Sequence, residues 1–168
     1  MPERPHFLFM NRALPAVYLP VIPMRQTVAF PGISFPLRIG RERSALALEK
    51  AREKNWPVLL VAQRDGEEQD PPPAGLYRVG VLCHIEKVIG SREDGYQALV
   101  KGVSRYKITD LLDGGEFLQA QGHVLDDEID LDDETRTVLL DSLKATAQEI
   151  LALLPKEMAP FRGYLAEI

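Results

Sequence analysis

Up to about residue 125 the apolar positions fall into short runs and alternations; after it they follow a helical stripe. The first forty residues carry Pro15, Pro20, Pro23, Pro31 and Pro36. Proline has no N–H for a sheet ladder and biases the residue before it towards extended backbone. Short, edge-like strands are therefore expected over 16–22 and Ser34–Ile39, with a tight turn at Pro31-Gly32. Over Glu42–Lys54 the period changes: Ala45, Leu48 and Ala51 share one face, while Glu49, Lys50, Arg52 and Glu53 lie mostly elsewhere, which predicts a helix. Asn55 is a stop, and Pro57 cannot continue the helix. Val58–Ala62 is apolar without interruption and predicts a strand covered on both faces.

The charged stretch 64–74 holds Pro71-Pro72-Pro73 and is expected to be a loop. A longer strand is predicted over 77–89. Its apolar face is Tyr77, Val79, Val81, Cys83 and Ile85, with Arg78, His84 and Glu86 opposite. Asp94-Gly95 signals a hairpin, since both residues tolerate positive φ. Strands over 96–103, 106–111 and 117–125, the last two separated by Asp113-Gly114-Gly115, complete an antiparallel meander. The fold class is α+β: an antiparallel β domain over 1–125 with one embedded helix, then a helical extension over 126–168.

That extension opens acidic. Seven of the nine residues 126–134 are Asp or Glu, and a helix is predicted from there to about Leu154. Leu139, Leu143, Ala147, Ile150 and Leu154 form its stripe, and Asp132, Asp133 and Glu134 favour the positive end of its dipole. Pro155 suits the first turn of another helix. The pattern stops at Ile168 with neither cap nor polar tail, as expected of a piece of a longer protein.

Composition narrows the chemistry. A formal charge of −5 disfavours non-specific nucleic-acid binding, which needs surplus Lys and Arg against phosphate. No apolar run nears the roughly 18–20 residues that cross a bilayer. Cys83, the single cysteine, has no internal disulfide partner. A cytoplasmic protein is the simplest expectation. The glycine spacings at 75–80 and 90–95 lack the Lys and Ser/Thr of a phosphate loop, having Val81-Leu82 and Tyr96-Gln97 instead. Cys83 and His84 are strand neighbours pointing to opposite faces, so they do not share an ion easily; a buried thiol and a surface imidazole are expected. The acidic run lacks the turn glycine and incoming helix of an EF-hand. Ser34, Ser44, Ser91, Ser104 and Ser142 all lie outside any strained nucleophile turn. No catalytic, metal or cofactor residue is assigned.

The stretch Leu19-Pro20-Val21-Ile22-Pro23-Met24-Arg25-Gln26-Thr27-Val28-Ala29-Phe30-Pro31-Gly32 closely resembles the opening signature of the Lon protease N-terminal domain. Pro36-Leu37, Gly40-Arg41, Val61-Ala62-Gln63, Leu76-Tyr77-Arg78-Val79-Gly80 and Lys101-Gly102-Val103-Ser104-Arg105 follow in that family's order, so the match spans about 19–124. Met24 and Gln26 depart from it, where Leu and Asp or Asn are usual. The resemblance implies a PUA-like β pseudo-barrel leading into helices. It also implies a role in recognising unfolded or damaged protein substrates for an ATP-dependent serine protease, a homo-oligomer, usually a hexamer. ATP and magnesium would belong to an ATPase module, and a Ser–Lys pair to a protease module, both outside this chain.

A module that meets many unfolded chains needs accessible apolar surface and adaptable residues. Met24, Phe30, Ile33 and Phe35 are the candidate substrate-binding residues, weighed against aromatics that simply fill the core. Two alternatives compete. One is a stand-alone protein-binding module or adaptor of the same fold. The other is a PUA-like RNA-binding module, which ranks last because Arg78, Lys87, Arg92, Lys101, Arg105 and Lys107 are scattered among acids.

Overall fold

The computed structural model describes residues 18–128 and 130–153. Its strands are β1 (Leu19–Met24), β2 (Ser34–Ile39), β3 (Val58–Ala62), β4 (Val79–Ser91), β5 (Gly95–Asp113) and β6 (Leu118–Leu125). Its α-helices are α1 (Glu42–Lys54) and α2 (Asp133–Leu153). By compactness the chain divides into residues 1–126 and 127–168.

The sheet order is β2-β5-β4-β3-β1-β6, and a further pairing of β5 with β6 closes the strands from β5 round to β6 into a ring. β3 is apolar throughout because this ring has a covered inside and a covered outside. Leu59 and Val61 join Leu19, Val21, Leu82, Tyr106, Ile108, Leu111, Leu118 and Ala120 in one cluster. Val58 and Leu60 join Ile22, Met24, Cys83, Val100 and the α1 face in the other. That face is Ala45, Ala47, Leu48 and Ala51, at most 3% exposed. Removing the Leu48 side chain there costs about 2–5 kcal/mol. α1 stops where the sequence predicts, at Asn55, whose left-handed backbone (φ 52°, ψ 43°) leaves its N–H to cap the Arg52 carbonyl.

Four features differ from the sequence reading. β1 is no edge: it lies between β3 and β6 and is buried throughout. It pairs with β3 in parallel from Val21↔Leu59 to Met24↔Ala62, so only β4, β5 and β6 form the expected antiparallel meander. Pro20 precedes the β3 ladder, which begins at Val21, and Pro23 is tolerated by parity. The Met24 carbonyl accepts from Gln63 N–H (2.8 Å), so Pro23 turns its peptide edge away from β3, where no N–H is required of it. Residues 16 and 17 of the expected strand lie outside the described residues, as does the helix expected from Pro155.

The expected strands 96–103 and 106–111 are one continuous β5. The alternation expected over 77–89 also fails at its start. Tyr77 and Val79 are each 47% exposed, whereas Val81, Leu82 and Cys83 are all buried. Only Val81–Cys83 lies against β3, with one core cluster on each face. Cys83 and His84 fall as expected, the first buried and the second exposed. Burial pushes the Cys83 thiol up to about 12, which keeps it protonated and unreactive.

Glu49 ties α1 to the β4–β5 hairpin, accepting from the Arg92 guanidinium and from Tyr96 Oη (2.7 Å). Those bonds, Arg92 first, hold its carboxyl below the ordinary range. At the hairpin Gly95 takes the positive φ (83°).

In the second unit Asp132 caps α2, accepting from Thr135 N–H (2.8 Å) and Thr135 Oγ1 (3.1 Å). The stripe of α2 is largely open: Leu139 is 52%, Leu143 65% and Ile150 55% exposed. Few buried apolar contacts mean low local stability. Amides of 138–153 are therefore expected to exchange with deuterium sooner than those of 79–85 in a monomeric sample. Equal protection of the two sets would refute a loosely held α2.

Candidate functional site

Residues 25–33 run from β1 to β2 and carry the largest apolar exposure among the described residues of the first unit. Val28 and Phe30 are each 60% exposed and Ile33 54%, with Ala29 buried between them. The loop is not slack. Gly32 N–H donates to the Gly102 carbonyl (2.9 Å), and Gly102 N–H donates to the Ile33 carbonyl (2.9 Å). A Cβ on Gly102 would overlap the Phe30 carbonyl oxygen, so only glycine lets β5 come this close to the loop. The next residue of β5, Val103, is 53% exposed. Pro31 and Gly32 (φ 82°) make the turn.

The four residues proposed from sequence do not share one environment. Phe30 and Ile33 lie together on the loop surface. Met24 is only 7% exposed and packs into the core cluster beneath α1. As the last residue of a strand covered on both sides, it offers no side chain to a ligand. Phe35 is half-buried against the same cluster, because its position on β2 directly opposite Val100 turns it inward. Sequence reasoning passed over Val28 and Val103. Both stood in the quoted motifs, beside Phe30 and Gly102, but nothing local marks a valine as exposed.

A polar clamp holds the far side of β1. Arg41 Nη1 donates to Gln63 Oε1 (2.7 Å) and to the Gln69 carbonyl (3.3 Å), and Nη2 donates to the Pro23 carbonyl. Gln63 is 5% exposed, and its Nε2 donates to the Asp65 and Glu68 carbonyls (3.0 and 2.9 Å). Burial, with Arg25 nearby, lowers the Arg41 pKa. The amide and guanidinium together satisfy backbone carbonyls that the sheet leaves unpaired.

A sequence profile described as the "ATP-dependent protease La (LON) substrate-binding domain" matches residues 18–167. The chain belongs to the Lon substrate-binding domain family. The Lon protease of Anaeromyxobacter dehalogenans is 34% identical over 152 residues, covering 90% of this chain and 18% of its own length. Lon protease 1 of Bdellovibrio bacteriovorus is 37% identical over 151 residues, 90% of this chain and 19% of its own. The chain thus spans under a fifth of these relatives. Among solved structures, the N-terminal domain of Mycobacterium avium complex Lon protease superposes with a TM-score of 0.64 at 19% identity, covering 90% of this chain and 76% of that one. The Lon N-terminal domain protein from Xanthomonas campestris gives 0.59 at 14%, covering 77% and 72%. Both likenesses carry the fold.

The structure gives the motifs of this Lon-family chain physical roles. Gly40-Arg41 and Val61-Ala62-Gln63 supply the two halves of the clamp, and Lys101-Gly102-Val103 supplies the glycine that seats the apolar loop. Replacing Gln63 with Leu takes one of three acceptors from the half-buried Arg41 guanidinium and leaves the Asp65 and Glu68 carbonyls without the Gln63 amide. Urea unfolding is expected to show a loss of roughly 1–3 kcal/mol; an unchanged midpoint and slope would mean the clamp is dispensable.

Proposed function

We propose that this chain is the non-catalytic, substrate-recognising part of a Lon-type ATP-dependent serine protease, and that it engages unfolded segments of damaged or regulatory proteins through Val28, Phe30, Ile33 and Val103. The observation that carries this reading is a rigidly seated loop that exposes large apolar side chains. Burying an exposed Phe or Ile against a partner gains about 25 cal/mol per Å² before the entropic costs of association. Such a surface suits an extended chain with apolar side chains free, and it has little to offer a native protein whose apolar groups are inside. ATP, magnesium and the nucleophile are assigned to the remainder of the protease, as is assembly into a hexamer. No described helix is long and apolar enough to cross a membrane, in keeping with a cytoplasmic protease.

Two measurements test the reading. Titration with one model protein in unfolded and native forms is expected to give binding to the unfolded form alone. Replacing Phe30 and Ile33 together with Ser should weaken that binding about tenfold or more, with the thermal midpoint little changed, since both side chains are exposed. Undiminished binding by the double variant would remove the loop from the role. The purified chain is expected to hydrolyse neither ATP nor casein; turnover that co-purifies with it through successive columns would overturn the non-catalytic assignment.

A further inference from the structure

β1 and β6 are laddered only at Leu19↔Ala120 and Pro20↔Gln119. Beyond Pro20 they part, and a recess of ≈ 240 Å³ opens between them. Val21, Pro23, Leu118 and Pro71 form apolar walls, and Arg41, Arg43 and Ser44 form the end where α1 begins. Three observations make this end a place for an acceptor group. First, the first helical bond of α1 is Ala45 N–H to the Arg41 carbonyl, and no side chain caps the helix. The N–H groups of Glu42, Arg43 and Ser44 therefore have no helical acceptor, and the helix dipole favours negative charge there.

Second, Ser44 is only 4% exposed, yet its hydroxyl has no hydrogen-bond partner among the described residues and is not sealed from solvent. Among the described residues, then, this serine on the wall of the recess has a hydroxyl open to a ligand. Third, Arg43 Nε is fully buried without a partner among the described residues, although its terminal nitrogens pair with Asp70 (2.9 Å) and Asp113. Glu42 and Asp70 also line the recess. Arg41 and Arg43 offset these two lining carboxylates, but Arg43 also pairs with Asp113, so the unbonded amides and the Ser44 hydroxyl are what favour an incoming carboxylate.

We propose that this recess binds a carboxylate carried on a short aliphatic group, and that its source is the C-terminal residue of a polypeptide. The carboxylate would accept from the free amides of α1 and the Ser44 hydroxyl, and the terminal side chain would lie against Val21, Pro23, Leu118 and Pro71. The volume has room for one residue and is below the several hundred Å³ of a typical small-molecule site. A chain end fits it where a through-running segment would not. Capture of a terminal carboxylate by backbone amides is an established mode of peptide recognition. The assignment of peptides as the source rests on the substrate-binding reading above and adds a second contact to it, specific to chain ends.

The test is an NMR titration of the whole 168-residue chain with an acetylated tripeptide ending in valine, the same peptide as its C-terminal amide, and isovalerate. The free-acid peptide is expected to shift the Arg43 and Ser44 amide signals. Its amide should bind about tenfold or more weakly, having lost the charged acceptor. Isovalerate should move the same signals at higher concentration; if it binds as tightly as the peptide, the chain-end source is wrong. In Ser44→Asp a tethered carboxylate lies beside the free amides, so binding should vanish while the thermal midpoint holds or rises. Ser44→Ala should keep the fold and bind several-fold more weakly. Equal affinity for acid and amide, no response at Arg43 and Ser44, or full binding by both folded Ser44 variants would each overturn the proposal. Unfolded-protein binding by wild type and by the Phe30→Ser, Ile33→Ser variant, run alongside, separates the two failures. A failed recess leaves that contrast intact, whereas its absence in wild type sinks the substrate-binding reading itself.

Discussion

β5 must serve three neighbours at once, and the rest of the first unit is arranged around how it does so. Its residues pair with β4 from Gly95↔Ser91 to Lys107↔Val79, with β2 over 96–101, and with β6 over 105–113. At about 3.3 Å per residue, a straight strand of 19 residues would outrun the domain. The register shifts in the β4–β5 ladder, at Leu82/Cys83 and Ile85/Lys87, and the one at Ile108/Asp110 opposite β6 let it turn from one sheet neighbour to the other. Gly102 stands where the β2 partnership ends and the β6 partnership is about to begin. The same glycine, lacking a Cβ, admits the loop that carries Phe30 and Ile33. Presentation of the apolar surface is thus coupled to the stretch of β5 between its β2 and β6 partnerships.

That coupling explains how a domain can keep large apolar side chains in water without losing order around them. The loop is bonded to both the N–H and the carbonyl of Gly102 and anchored by buried Ala29, so exposure of Val28, Phe30 and Ile33 is a property of a fixed backbone. Across β1, Arg41 and Gln63 do comparable work in polar terms. They satisfy the carbonyls of Pro23, Asp65, Glu68 and Gln69, which neither sheet nor helix reaches. Their cost is that both terminal guanidinium nitrogens of Arg41 and both amide atoms of Gln63 are committed, leaving the first turn of α1 uncapped beside the gap between β1 and β6. The second unit rests on different physics. Its helix is initiated by a local Asp132 cap and an acidic first turn, with its stripe open.

Local chemistry was legible in the chain by itself. The helical period of Ala45, Leu48 and Ala51, the stop at Asn55, the doubly covered run Val58–Ala62, the glycine turns and the opposite fates of Cys83 and His84 all depend on neighbours within a few residues. Sequence patterns report such neighbours directly. The motifs around Pro23, Arg41, Gln63 and Gly102 likewise marked the family, although not what each residue does. Partnership across the chain was decided only in three dimensions. Proline-rich β1 looked like an edge because its parity relative to β3 depends on a parallel pairing with residues some forty positions away. Met24 and Phe30 looked equivalent as apolar residues in a proline-rich stretch. One ends a strand sealed beneath α1, and the other sits on a turn that a glycine in β5 allows to come close. A side chain's exposure depends on which distant backbone passes over it, and no periodicity within its own segment encodes that.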